Sequence, residues 1–86
     1  MSSPYKVIIT PEAEEDLKKI DKTFRDALLS GIRRIKDNPK LGKMLKRELK
    51  GQRRLRISRY RIIYEIDEKA KTVWILIIDH RKDAYR

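Results

Sequence analysis

The side chains best suited to chemistry are cations and aromatics in the second half of the chain. Arginine binds phosphate oxygens through two parallel hydrogen bonds and stays protonated. Histidine transfers protons near neutral pH, and tyrosine can stack on a base. Together they suit an RNA cleavage in which the substrate's own 2′-hydroxyl attacks the adjacent phosphate, without a metal or a protein nucleophile. The candidates are Arg54, Arg56, Arg61, His80, Arg81 and Tyr85.

Each candidate also has a purely structural explanation. A lone histidine at a strand end is usually a surface residue, and arginines on strands are often solvated. Asp79 and Asp83 could pair with the arginines, which would make the group a salt-bridge network. Packing explains Tyr85 less readily, because it follows the last predicted strand. Only the joint occurrence of these residues favours a functional site.

The composition limits the other kinds of chemistry. The 86 residues contain one histidine and no cysteine. Disulfides and thiolate metal sites are therefore excluded, and no histidine cluster can form. We predict a single domain over residues 1–86, with no metal and no cofactor.

The excess positive charge lies almost entirely in the middle of the chain. The net charge is +10, and residues 38–64 contribute ten Lys or Arg against one acid. Such a concentrated patch favours a polyanionic partner over a generally basic surface. Alternatively, the basic patch is a solubilising surface or a binding site for an acidic protein. The predicted backbone contacts to RNA are Lys43, Lys46, Arg47, Lys50, Arg53, Arg54 and Arg59.

Two helices are predicted after a short first strand, YKVIIT. In TPEAEEDLKKI, Thr10 is a suitable N-cap, and Pro11 fits the first helical position. The second helix lies within DKTFRDALLSGIRRIKDNP and ends before Pro39, which cannot continue the hydrogen-bond ladder. The short connection between them predicts a helical hairpin.

Three strands are predicted after a basic connector, KLGKMLKRELKG: RRLRIS, YRIIYEI and TVWILII. A tight turn at Ser58-Arg59 joins the first two, although these residue types are not the favoured ones. The predicted fold is α+β, in the order β-α-α-β-β-β, with the helical hairpin on one face of a small antiparallel sheet. Antiparallel strands would then bring Arg61 close to His80 and Arg81.

The segments RRLRISRYRIIYEID and DHRKDAYR resemble the RelE/ParE superfamily of toxin–antitoxin toxins, and the resemblance extends over the whole chain. It implies a ribosome-dependent endoribonuclease that cuts mRNA and inhibits translation, held inactive by an antitoxin. By position, Arg61 and Arg81 match the phosphate-binding arginines, and Tyr85 matches the aromatic that contacts the substrate nucleotide. Arg54 and Arg56 stand where RelE proper has catalytic lysines, and Lys50 matches a basic residue nearby.

The sequence also departs from the family pattern. Arginine at 54 and 56 removes a plausible general base, so His80 becomes the first candidate for proton transfer. The common hairpin glycine is replaced by Ser58-Arg59. A ParE-like toxin that inhibits DNA gyrase and a non-catalytic nucleic-acid-binding module remain alternatives. The His-Arg-…-Tyr ending favours the RelE branch.

The partners and the location follow from this interpretation. The resemblance implies a RelB-like acidic antitoxin, the ribosome and mRNA as partners. We expect a monomer when the chain is alone and a heterotetramer with the antitoxin. No signal peptide is visible, and Val73–Ile78 is too short to span a bilayer. A cytoplasmic protein without membrane association is therefore predicted.

Overall fold

The computed structural model describes residues 4–45 and 51–80. The predicted order of helices and strands is confirmed, with a 3₁₀ turn and a two-residue strand added in the basic connector. The elements are β1 (Lys6–Ile9), α1 (Pro11–Lys18), α2 (Lys22–Asp37), the 3₁₀ turn (Pro39–Leu41), β2 (Lys43–Met44), β3 (Gln52–Ile57), β4 (Tyr60–Asp67) and β5 (Thr72–His80).

The start of α1 is fixed by Thr10, as the sequence predicts. Its side-chain oxygen accepts a hydrogen bond from the backbone N–H of Ala13 at 3.3 Å, and Pro11 is the first helical residue. The same hydroxyl donates to the carbonyls of Ile75 and Leu76, at 2.9 and 3.2 Å. Thr10 therefore caps the helix and joins it to β5.

The five strands form one mixed sheet in the order β1-β5-β4-β3-β2. The neighbours from β5 to β2 pair antiparallel, whereas β1 pairs parallel with β5. The sequence predicted antiparallel pairing throughout. No hairpin links β1 to β5, so the turn geometry that fixes antiparallel neighbours does not apply to this pair.

The core lies between the two helices and one face of the sheet. Both helices and the two central strands, β4 and β5, contribute to a single buried cluster. Its members are Ala13, Leu17, Leu28, Ile32, Ile35, Ile62, Tyr64, Val73, Ile75 and Ile78. Because side chains alternate across a strand, the residues between these point to the other side, called the open face below.

A β-bulge in β5 reverses this alternation halfway along the strand. Ile63 pairs with Ile77, but the next residue, Tyr64, pairs with Ile75, so Leu76 is an extra residue. Val73 and Ile75 face the helices before the bulge, and Ile78 faces them after it. The bulge consequently places Asp79 on the open face and His80 on the helix side.

Tyr64 ties the basic connector to the sheet from inside the core. Its side chain is fully buried, and its hydroxyl donates to the carbonyl of Pro39 at 2.7 Å. The same oxygen accepts from the N–H of Gly42 at 2.8 Å. A Cβ at Gly42 would lie 2.7 Å from that oxygen and from the carbonyl oxygen of Arg54, so only glycine fits here.

Among the residues that the structure describes, no helix is both long and apolar enough to cross a membrane.

Candidate nucleic-acid interface

Three charged residues form a row across the open face. Arg56 on β3 lies directly opposite Arg61 on β4, and Arg61 lies directly opposite Asp79 on β5. Residues directly opposite in a sheet share a face, with Cβ atoms about 5 Å apart. The hairpins that the sequence predicts are therefore formed, and they bring two candidate arginines together.

Arg61 and Asp79 form a bidentate ion pair. Arg61 Nε donates to Asp79 Oδ1 at 3.1 Å, and Arg61 Nη2 donates to Asp79 Oδ2 at 2.9 Å. The side chains are 23% and 36% exposed, so solvent only partly screens the pair. This is the geometry with which guanidinium also recognises phosphate. The sequence offered Asp79 as a possible salt-bridge partner but not as a member of the site.

Two further cations extend this surface towards the edge of the sheet. Lys43 on β2 lies opposite Arg54 on β3, and Arg54 lies opposite Ile63 on β4. Arg56 and Lys43 are exposed, and Arg54 is half-buried. Neither Lys43, Arg54 nor Arg56 has an ion pair within the described part of the chain. The cationic cluster of the open face is therefore Lys43, Arg54, Arg56 and Arg61.

Apolar side chains lie beside the cationic cluster. Trp74 is 38% exposed and Ile77 is 43% exposed. Ile77 pairs with Ile63, and Trp74 pairs with Ile8 on β1, so all four share the open face. The open face consequently combines cations that bind phosphate with flat apolar surface.

His80 lies on the opposite side of the sheet from Arg61. It pairs with Tyr60, and the two rings meet edge to face with centroids 5.2 Å apart. Tyr60 contacts Phe24 of α2 at 5.6 Å, and the Arg59 guanidinium lies 5.0 Å from the centroid of the Phe24 ring. The predicted proton-transfer residue therefore belongs to an aromatic cluster under the helices.

Two of the predicted RNA contacts have partners within the fold. Arg53 shares the helix side of the sheet with Tyr64 and donates to the carbonyl of Gly42 at 2.8 Å. Arg59, in the turn between β3 and β4, lies over the ring of Phe24. Both cations help to hold the fold at these places.

The remaining predicted site residues lie outside the described residues. These are Lys46, Arg47, Lys50, Arg81 and Tyr85.

The charges of the open face are of the kind and arrangement that suit a phosphodiester backbone. Two arginines, Arg56 and Arg61, lie on adjacent strands of this face. A third arginine, Arg54, and Lys43 lie on the same face towards the edge strand β2. Aligned cations of this kind bind the backbone irrespective of sequence, and salt weakens the binding. The three arginines of the cluster stay protonated, so none of them can act as a general base.

This architecture is that of the toxins of type II toxin–antitoxin systems. The toxin–antitoxin complex RelBE2 from Mycobacterium tuberculosis is similar, with a TM-score of 0.82 and 38% identity over 91% of this chain and 99% of that one. The isolated E. coli RelE toxin is similar in fold, with a TM-score of 0.78 and 18% identity over 88% of this chain and 83% of that one.

The chain belongs to the family of ParE toxins of type II toxin–antitoxin systems (parDE), whose model matches residues 7–85. Two toxins of Mycobacterium tuberculosis are related over 96% of this chain. Toxin RelG is 39% identical over 98% of its own length, and Toxin RelE is 34% identical over 88% of its own length. The predicted membership of the RelE/ParE superfamily is thereby confirmed.

Proposed function

We propose that this toxin is a ribosome-dependent endoribonuclease that binds mRNA on the open face of its sheet. The observation that carries the proposal is the placement of Arg56 and Arg61 directly opposite each other, with Arg54 and Lys43 on the same face. Paired guanidiniums suit a phosphate whose negative charge grows in the transition state. The related toxins named RelG and RelE support the RelE branch.

The proposed reaction uses the RNA's own nucleophile. The 2′-hydroxyl loses its proton and attacks the neighbouring phosphorus, and the bond from phosphorus to the 5′-oxygen breaks. The departing 5′-oxygen takes up a proton, which leaves a 2′,3′-cyclic phosphate and a 5′-hydroxyl. In this proposal Arg61, Arg81 and Arg56 stabilise the phosphorane, and Tyr85 holds the substrate base.

His80 is the proposed proton-transfer group, because it is the only imidazole in the chain. Its side chain lies on the helix side, at the last residue of β5. The RNA must therefore pass round the end of β5, with the phosphate on the open face and the leaving or attacking oxygen beyond the strand end.

The proposed partners follow from the charge of the same surface. The backbone of mRNA or of ribosomal RNA would be held by Lys43, Lys46, Arg47, Lys50 and Arg54. Arg53 and Arg59 would contact it at the margin. A RelB-like acidic antitoxin would cover this basic surface, since the M. tuberculosis relative is a complex named RelBE2. We infer a monomeric toxin, a heterotetramer with the antitoxin, and action in the cytoplasm, where mRNA is translated.

The test is to add the purified protein to translating ribosomes and to map new mRNA 5′ ends by primer extension. We expect new ends with the wild type and far fewer with Arg61→Gln or Arg81→Gln. Arg33→Gln, an exposed arginine of α2 that lies away from the open face, is the matched control and should cleave normally. The proposal fails if the wild type produces no new ends.

A gyrase inhibitor is the second candidate, because the matching family model is that of ParE toxins. The resemblance to the RelE/ParE superfamily implies that a ParE-like toxin poisons gyrase without RNA chemistry. Loss of DNA supercoiling activity in the presence of the protein, without new mRNA ends, would favour this candidate. Salt-dependent RNA binding with neither effect would indicate a non-catalytic binding module.

A further inference from the structure

Arg61 lies between a positively charged and a negatively charged residue on the two neighbouring strands. Arg56 lies directly opposite on one side, and Asp79 lies directly opposite on the other. Like charges in directly opposed positions repel, whereas opposite charges attract. Asp79 therefore supplies Arg61 with an opposite charge on β5, while Arg56 supplies a like charge on β3.

The ion pair fixes the direction of the Arg61 guanidinium. Asp79 accepts hydrogen bonds from Nε and Nη2, at 3.1 and 2.9 Å, so it binds the side edge of the planar group. A guanidinium held by two parallel hydrogen bonds cannot rotate about its last bonds without breaking one of them. The carboxylate thus draws Arg61 towards β5 and away from Arg56.

The same carboxylate weakens the attraction of Arg61 for any other anion. Asp79 is only 36% exposed, so its charge is not fully screened by solvent. A phosphate that approaches Arg61 meets the negative charge of Asp79 beside it. Orientation of the arginine and affinity for RNA are therefore opposed at this position.

We propose that Asp79 is a positioning residue for Arg61, because it orients the guanidinium for the scissile phosphate. Asp79 and that phosphate then share the positive charge of Arg61, and this sharing lowers the affinity for RNA. The proposal rests on the proposed ribonuclease function for its catalytic part and on binding alone for the rest. Removal of the charge should therefore tighten RNA binding and slow the chemical step, a combination that a merely structural residue would not produce.

The first experiment measures binding with a probe that cannot be cleaved. A fluorescent 2′-O-methyl oligouridylate is titrated with wild type and Asp79→Asn by anisotropy over a series of salt concentrations. At low salt we expect Asp79→Asn to bind up to about fivefold more tightly, the size of one partly exposed charge pair. The slope of log affinity against log salt should steepen by about 0.7, the value for one further phosphate contact.

Glu65→Gln is the matched control. Glu65 also lies on the open face, but Gln52 Nε2 donates to its carboxylate at 3.4 Å. Within residues 4–45 and 51–80, it forms no ion pair with an arginine. This variant removes the same charge from the same surface, and its salt slope should stay at the wild-type value. In an Arg61→Gln background, Asp79→Asn should no longer tighten binding. Asp79→Glu keeps the carboxylate and should keep the wild-type slope.

The second experiment separates kcat from KM in ribosome-dependent cleavage. We expect Asp79→Asn to lower kcat about tenfold and to lower KM as well, with partial recovery of kcat in Asp79→Glu. Thermal melting checks that each variant is folded, and Asp79→Ser replaces Asp79→Asn if the latter is not.

The outcomes distinguish this inference from the proposed function. The inference is overturned if wild type cleaves RNA and Asp79→Asn binds and cleaves as wild type does, or if Glu65→Gln steepens the slope equally. If no variant cleaves RNA but Asp79→Asn still binds with the steeper slope, the ribonuclease function fails while the sharing of Arg61 is supported.

Discussion

Arg61 and His80 lie on opposite faces of the sheet, although they stand near the same end of adjacent strands. Arg61 is paired with Asp79 and His80 with Tyr60, so each belongs to a different layer of the molecule. The cation that would bind phosphate and the imidazole that would move a proton are therefore separated by the sheet itself. The end of β5 is the place where one substrate could reach both.

Replacing Arg61 by lysine tests whether the two parallel hydrogen-bond donors of the guanidinium are needed. Lysine keeps the charge but cannot donate two parallel hydrogen bonds to Asp79 or to a phosphate. We expect ribosome-dependent mRNA cleavage to fall by about 10²- to 10³-fold, the usual loss when a transition-state donor is removed. Arg33→Lys on α2 is the control, and it should cleave at the wild-type rate. Equal cleavage by Arg61→Lys would show that charge alone is sufficient.

Replacing His80 by alanine tests the proton-transfer assignment. If His80 moves a proton, cleavage should fall by about 10²-fold or more, while binding of a 2′-O-methyl oligouridylate stays unchanged. Loss of the ring contact with Tyr60 should also lower the free energy of unfolding by about 1 kcal/mol. A variant that shows the stability loss but cleaves normally would confine His80 to packing in the aromatic cluster.

The local signals in the sequence were sufficient for the helices and the hairpins. Thr10 caps α1 with Pro11 as the first helical residue, and α2 ends just before Asn38-Pro39, as their residue types predict. The β3–β4 hairpin forms around Ser58-Arg59, as expected, and it places Arg56 opposite Arg61. These features depend on neighbours in sequence, which is why a single chain reveals them.

The position of the bulge could not be predicted from the sequence. Every residue from Val73 to Ile78 is apolar, so no alternation marks where the pattern changes phase. The carbonyl of the extra residue, Leu76, accepts a long-range hydrogen bond from the Thr10 hydroxyl. That single insertion decides that Asp79 joins Arg61 and that His80 does not. The parallel pairing of β1 was missed for a similar reason, because it is also a long-range contact.

Ser58 takes a backbone conformation that favours glycine, with φ of 57°. The left-handed region costs a residue with a Cβ about 1–2 kcal/mol, of which the greater chain entropy of glycine cancels a part. Ser58→Gly should therefore stabilise the protein by about 0.5–1 kcal/mol in urea unfolding. Ser30→Gly, at an exposed position within α2, should destabilise it instead. If the two substitutions changed the free energy of unfolding equally, the positive φ of Ser58 would not account for the effect at that position.

Tyr64→Phe removes the hydroxyl that holds the connector to the sheet. The carbonyl of Pro39 and the N–H of Gly42 would lose their partner in a buried place, at about 1–3 kcal/mol for each unsatisfied group. We expect a loss of about 2–4 kcal/mol in the free energy of unfolding at neutral pH. Tyr60→Phe, whose ring remains against Phe24 and His80, is the control for removal of a hydroxyl.

The pH dependence of the Tyr64 contribution has a definite sign. Burial raises the pKa of Tyr64 above its ordinary value of about 10, so the folded state favours the protonated phenol. A raised pKa stabilises the folded state fully below the unfolded value and loses that effect as pH rises through the folded one. The stability difference between wild type and Tyr64→Phe should therefore be constant below about pH 10 and narrow above it. A difference that instead narrows between pH 6 and 8 would contradict this assignment.

Thr10→Val tests the link between the helix cap and the arrangement of the site. Valine has nearly the same shape but loses the bond from Ala13 and the bonds to the carbonyls of Ile75 and Leu76. We expect a loss of about 1–2 kcal/mol in urea unfolding, the usual cost of an N-cap. Leu76 is the bulged residue, and the bulge determines on which face of the sheet Asp79 lies. The placement of Asp79 beside Arg61 should therefore also become less fixed. RNA cleavage should then fall at temperatures where the variant is still folded.

Thr23→Val, at an exposed position in the first turn of α2, is the control and should change neither stability nor RNA cleavage. A folded Thr10→Val variant that cleaves as wild type does would show that the pairing of β4 with β5 holds the bulge without Thr10.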